Sequence, residues 1–171
     1  MANHNESFFR QTAAENDACL VEGLPAVNSK SHAQSPARPA QVPVPSARIL
    51  ILDDDQIIAE LLGEMLTLVG HSIVLCHSAL DAIAWLDRQE FDLIISDFRM
   101  PKMDGQEFYQ HVVRKKPELA RRILFLSGDV VNEDTQCFLR ATGNPHLMKP
   151  FRLALVEQTV TRVLQQSMVP G

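Results

Sequence analysis

Arg48-Ile49-Leu50-Ile51-Leu52-Asp53-Asp54-Asp55 decides the fold of this chain. A run of four to six apolar residues closed by turn-forming groups is the pattern of a strand buried on both faces of a parallel sheet. The pattern recurs three times. Leu93-Ile94-Ile95 leads to Asp97, Ile123–Leu126 leads to Ser127, and Leu147-Met148 leads to Lys149. Parallel strands all point one way, so the groups at their carboxyl ends gather along one edge of the sheet. Three carboxylates, a hydroxyl and an ammonium are therefore expected to meet at one place.

Strands are predicted at 48–52, 72–76, 92–96, 122–127 and 145–148, and helices at 56–69, 79–88, 105–115, 132–142 and 152–166. In the first helix Ile58, Leu61, Leu62, Met65 and Val69 supply an apolar face. Asp55 stands as its N-cap and Gly70 as its C-terminal glycine. Ser78 caps the second helix, whose apolar residues are Leu80, Ile83, Ala84 and Trp85. Glu133 and Asp134 open the fourth helix and Gly143 stops it. Leu155, Val156, Val160, Val163 and Leu164 form the stripe of the fifth. Five βα units with short connections imply a doubly wound α/β sheet covered by helices on both faces. In such sheets ligands bind beyond the carboxyl ends of the strands, at the topological switch point.

Residues 1–46 read differently. Pro25, Pro36, Pro39, Pro43 and Pro45 fall among Ser, Ala, Gln and Asn, a composition that cannot offset its ordering entropy. That segment is expected to be a disordered or extended leader, and 6–22 shows no convincing helical stripe. The chain has 171 residues, 46% hydrophobic and 22% charged, which suits one packed domain. A net charge of −5 argues against non-specific nucleic-acid binding. Cys19, Cys76 and Cys137 share no metal-ligand spacing and read as reduced thiols of a cytoplasmic protein. No apolar stretch reaches membrane-spanning length. The basic run Arg114-Lys115-Lys116 suits the solvated C-terminal end of a helix.

Asp53, Asp54 and Asp97 brought together repel one another unless a cation sits among them. Magnesium is the natural candidate, since it takes oxygen ligands and leaves room for water and phosphate. Asp55 suffices to cap the first helix, so Asp53 and Asp54 are left for another task. Asp97 precedes Phe98-Arg99-Met100-Pro101-Lys102-Met103-Asp104-Gly105, whose Met-Pro and Asp-Gly pairs make an exposed turn around the carboxylate. A carboxylate there can act as nucleophile and accept a phosphoryl group. Lys149 supplies an ammonium to its oxygens, Ser127 a hydroxyl, and Gly128 leaves room for a donor side chain. Pro150 is a candidate for a cis peptide bond that aims Lys149 inward.

These residues, with Lys149-Pro150-Phe151, resemble the receiver domain of bacterial two-component response regulators. The likeness covers about 47–168, leaving 169–171 as a tail, and implies a flavodoxin-like (βα)5 fold of strand order 2-1-3-4-5. It makes Asp97 the phosphoacceptor. It gives magnesium Asp54 and Asp97 as direct ligands, Asp53 as support and the backbone carbonyl of Arg99. Ser127 and Lys149 would contact the phosphoryl group and pass the signal on. The stretches Phe125–Asp129, Thr142–Pro145 and Lys149–Phe151 are similar to receivers of hybrid sensor kinases. Where the family usually carries an aromatic switch residue, this chain has His146, which either fills the same groove or is simply packed or exposed. Arg99 and Asp129 occupy positions that the family varies to tune lifetime.

The resemblance implies a histidine kinase or histidine phosphotransfer protein as donor, and an unknown downstream protein. The first helix near Ile57-Ile58 with the Pro150-Phe151 loop is one expected docking surface. The fourth and fifth predicted helices are the other, and could hold a homodimer. About twenty residues follow Lys149, which points to a receiver without a DNA-binding output domain. Two other functions fit parts of the pattern. One is an interaction module that kept the fold and lost the switch. The other is a haloacid-dehalogenase-type phosphatase using Asp53, which leaves the Asp97 loop unexplained and lacks a late acidic pair.

Overall fold

The computed structural model describes residues 46–128 and 132–167. Within them run β1 (Arg48–Leu52), α1 (Gln56–Leu68), β2 (Ser72–Cys76), α2 (Ala79–Leu86), β3 (Leu93–Asp97) and α3 (Gly105–Lys115). The single turn α4 (Pro117–Ala120) follows, then β4 (Ile123–Ser127), α5 (Glu133–Thr142), β5 (His146–Met148) and α6 (Leu153–Ser167). The strands pair in parallel in the order β2-β1-β3-β4-β5, the flavodoxin-like arrangement expected. The leader up to residue 45, the 6–22 segment within it, Asp129 and the 169–171 tail lie outside the described residues. Among the described residues no helix is long and apolar enough to cross a membrane.

Strand composition explains the order. β3 and β4 are buried along their whole length, and β1 everywhere except Arg48. They carry the continuous Ile/Leu runs that an interior parallel strand needs. β2 and β5 form the edges and are partly exposed. Alternate residues serve the two faces. Leu50, Leu52, Ile94, Ile123 and Phe125 pack with α2 and α3, while Ile49, Ile51, Leu93, Ile95, Leu124 and Leu126 pack with α1 and α6. The turn α4 has no counterpart among the helices predicted from sequence. Pro117 sets its first φ, but four residues are too few to show a period.

Three apolar stripes need correction. In α1 the buried residues are Ala59, Leu62, Gly63 and Leu66, whereas Leu61 and Val69 are exposed. In α2 the buried residues are Ala79, Ala82 and Leu86, leaving Leu80 and Trp85 outside. In α6 Leu155 is exposed, while Val156, Val160, Val163 and Leu164 are buried. Helices pressed against a sheet bury small residues at the closest approach, so alanine and glycine mark the inner face better than size does. Gly63 illustrates this, since a Cβ there would lie 3.1 Å from Leu75. The caps at Asp55 and Ser78 are in place, and Asn132, expected as the first residue of a helix, is the N-cap of α5.

His71, buried at the α1–β2 turn, accepts the Ala47 N–H on Nδ1 at 3.3 Å. Burial holds its pKa below the ordinary 6.5, against a smaller opposing pull from Glu157. The folded state therefore binds fewer protons than the unfolded chain as pH falls through 6.5, and stability declines with it. Urea midpoints above and below pH 6.5 should diverge in the wild type. His71→Asn, which keeps an acceptor but cannot titrate, should show a smaller loss.

Candidate functional site

The aspartate run at the end of β1 divides into three tasks. Asp55 caps α1, its Oδ1 accepting the N–H groups of Ile57 and Ile58 at 3.0 and 3.3 Å. Asp53 is fully buried; its Oδ1 accepts the Asp55 N–H at 2.9 Å and its Oδ2 accepts Lys149 Nζ at 2.8 Å. Asp54 is exposed, and its side chain has no hydrogen-bond partner among the described residues. A parallel sheet brings the other groups alongside. Asp97 is buried at the end of β3, next to β1, with Oδ1 3.1 Å from Lys149 Nζ. Ser127 is fully buried at the end of β4, and its carbonyl accepts the Lys149 N–H at 2.8 Å. The Lys149–Pro150 peptide bond is cis.

Carboxylate oxygens of Asp53, Asp54 and Asp97 lie within 4.8 Å of one another. Burial pushes the Asp97 pKa above the usual carboxylate value, and the Asp53 charge adds to it, while Lys149 pulls the other way. Burial also opposes the charge of Lys149. Its bonds to Asp53 and Asp97 outweigh that penalty and raise its pKa, so the ammonium stays charged. The donor set is all oxygen, with one carboxylate open to solvent. It suits a hard divalent cation such as magnesium. Asp53 has both oxygens engaged by protein donors, which favours a supporting part over direct ligation.

The loop after β3 is held in several places. Phe98 N–H donates to the Leu126 carbonyl at 2.8 Å, and the Phe98 ring lies 5.8 Å from Phe125 and 5.5 Å from Phe138. Gly105 N–H returns to the Phe98 carbonyl at 2.9 Å. A Cβ on Gly105 would come within 2.9 Å of Phe98 Cα and 3.1 Å of the Asp97 carbonyl oxygen. Only glycine permits this closeness. Asp104 and Glu107 form a capping box on α3. The Asp-x-x-Glu spacing announces it, so Asp104-Gly105 is a helix start as well as the turn expected there.

Burial describes the other expected residues. Among the described residues, nothing lies within 4 Å of where a Cβ on Gly128 would sit. His146 is exposed on edge strand β5 and fills no groove, and Arg99 is exposed on the loop. Asp129 lies outside the described residues, so an Arg99–Asp129 pair has no geometry to report. The basic run is balanced by acidic neighbours. Lys115 meets Asp87 at 2.8 Å and Lys116 meets Glu90 at 2.6 Å. The hydrogen bond from Lys115 holds the Asp87 carboxyl below the usual range. The Cys76 thiol is free and buried, its pKa pushed up to about 12 by burial.

Two substitutions test this geometry. Because the folded pKa of Asp97 is raised, the folded state binds more protons than the unfolded chain above pH 3.8. That contribution is lost as pH rises through the folded pKa, leaving an ionised Asp97 that works against folding at neutral pH. Asp97→Asn should therefore melt a few degrees higher than wild type in metal-free neutral buffer, with the gap closing as pH falls. Gly105→Ala should lower stability by about 1–3 kcal/mol, the usual range for overpacking a tight site, as read from urea unfolding.

Residues 49–161 match the response regulator receiver domain family. The chain is 31% identical over 121 residues to the transcriptional regulatory protein GlrR of Escherichia coli K12, covering 71% of this chain and 27% of GlrR. It is 28% identical over 113 residues to the sensor histidine kinase RcsC of the same strain, covering 66% of this chain and 12% of RcsC. It thus spans about a quarter or less of the length of these curated relatives. Among solved structures, the chemotaxis protein CheY4 of Vibrio cholerae aligns with a TM-score of 0.62 at 28% identity, covering 69% of this chain and 98% of CheY4. A match that runs from β1 into α6, on a sheet of the flavodoxin-like strand order, shows that this chain belongs to the receiver domain family of two-component response regulators.

Proposed function

We propose that Asp97 accepts a phosphoryl group from a phosphohistidine on a histidine kinase or histidine phosphotransfer protein, in a magnesium-dependent reaction in the cytoplasm. The observation that carries this reading is the Lys149 ammonium, 2.8 Å from Asp53 and 3.1 Å from Asp97, beside an open Asp54. In the transfer, a carboxylate oxygen of Asp97 forms the new P–O bond. The P–N bond breaks, and its electron pair stays with the partner's imidazole. Hydrolysis of the acyl phosphate then releases inorganic phosphate and restores the carboxylate.

Asp54, Asp97 and the backbone carbonyl of Arg99 would hold magnesium, with Asp53 in support. When bound, the ion would supply positive charge to the phosphoryl oxygens, adding to that of the Lys149 ammonium. Ser127 donates to the same group, Gly128 keeps the approach open, and Arg99 with Asp129 sets access for the hydrolytic water. The receiver unit spans 47–168 in this reading, after a leader at 1–46. The signal leaves by protein contact. Ile57, 77% exposed on α1, together with Pro150-Phe151 offers the donor a surface. α5 and α6 offer the downstream protein or a second copy another. An exposed His146 makes the relay from Ser127 to that second surface differ from an aromatic switch.

Incubation with acetyl phosphate and magnesium checks the proposal. Wild type should gain one acid-stable, base-labile phosphoryl group, and Asp97→Asn none. No adduct on either protein would leave a receiver fold that acts only as an interaction module. Turnover of a phosphomonoester that survives Asp97→Asn and is lost in Asp53→Asn would favour the phosphatase reading.

A further inference from the structure

His77 stands beside the acidic cluster and is not one of the three residues that form it. β1 and β2 end side by side, with Leu52 opposite Cys76. The next residue of each strand crosses to the other. The Asp53 N–H donates to the Cys76 carbonyl at 3.2 Å, and His77 Nδ1 lies 3.2 Å from the Asp53 carbonyl oxygen. A carbonyl oxygen only accepts, so Nδ1 must carry the hydrogen. The main chain of Asp53 is thereby held at both its N–H and its C=O by one neighbouring loop.

The consequence falls on Asp54. The Asp53 carbonyl belongs to the peptide plane that joins Asp53 to Asp54. Fixing that plane restrains ψ of Asp53 and φ of Asp54, the two angles that aim the second carboxylate. The Asp54 side chain has no hydrogen-bond partner of its own among the described residues, so its direction depends on its backbone. Asp53, by contrast, is fixed through its carboxylate as well, by the Asp55 N–H and Lys149. The bland explanations of His77 do not hold. Its side chain is exposed, so it fills no core, and Ser78 alone caps α2.

We infer that His77 is a positioning residue for the acidic pair, acting through the Asp53 carbonyl to hold the Asp54 carboxylate toward a divalent cation. The inference rests on the metal-dependent reading of the site. Groups that orient a metal ligand through a hydrogen bond commonly change affinity by 10-fold or more. An exposed donor bound to a carbonyl belongs at the low end of that range.

Titration of the full chain with magnesium chloride alone, followed by amide NMR shifts at Asp54 and Ser127, measures this without any phosphoryl transfer. His77→Ala should weaken magnesium binding by about 10-fold. His77→Asn, whose side-chain amide can donate to the same carbonyl, should recover most of the loss. Melting temperatures in metal-free buffer should be the same for all three proteins. Equal affinity in wild type and His77→Ala overturns the inference while leaving the metal reading intact. So does a loss in His77→Ala that His77→Asn fails to recover, or one that accompanies a lower melting temperature. A wild type that binds no magnesium overturns the metal reading itself, and the inference with it.

Discussion

One ammonium makes this site possible. Two buried carboxylates, Asp53 and Asp97, stand at neighbouring strand ends, and removing such charges from water is costly unless they are paired. Lys149 reaches both, and its own burial is outweighed by the two bonds it makes. The lysine comes from the far edge of the sheet, just after the short strand β5, where its N–H donates to the Ser127 carbonyl at the end of β4. The stability of the fold and the chemistry of the site meet in this contact. If β1 and β3 were not neighbours, Asp53 and Asp97 would not stand side by side within reach of one ammonium.

The site is buried at Asp53 and Asp97 and open at Asp54. Asp53 and Ser127 are fully buried, and Asp97 nearly so. Phe98 anchors the β3 exit in an aromatic cluster, and Gly105 brings the first turn of α3 against the Asp97–Phe98 backbone. Asp54 and the space around Gly128 face outward. Catalytic geometry on a parallel sheet usually has this character, with fixed strand ends below and adaptable loops above.

Much of this was legible in the chain itself, and the reason is local. Runs such as Ile49–Leu52 and Ile123–Leu126, short and bounded by turn-forming groups, have the pattern of interior strands, since exposed elements seldom carry four consecutive large apolar residues. Caps are equally local, and Asp55 and Ser78 lie where a helix start needs a side-chain acceptor. Helix faces were harder. The choice of Leu61 and Trp85 as inward residues failed because size is a poor guide where a helix lies flat on a sheet. Ala59, Gly63 and Ala82 are among the residues buried there. Whether His146 packs or stays exposed was left open, because exposure is a property of neighbours, and the extra turn α4 was invisible, because one turn has no period.

By itself the sequence determined which residues end strands, the parallel character of the sheet, and the family likeness carried by Asp53-Asp54, Asp97, Ser127 and Lys149. These follow from short-range pattern, which is written residue by residue. Capping by Asp55 was already legible, and only the tertiary structure showed Asp53 in a buried pair and Asp54 as an open carboxylate. It also brought His71 to Ala47, His77 to Asp53, and Gly105 against Asp97. Those contacts join segments that a parallel topology sets side by side, and no spacing along the chain encodes a hydrogen bond between neighbours that only the sheet creates.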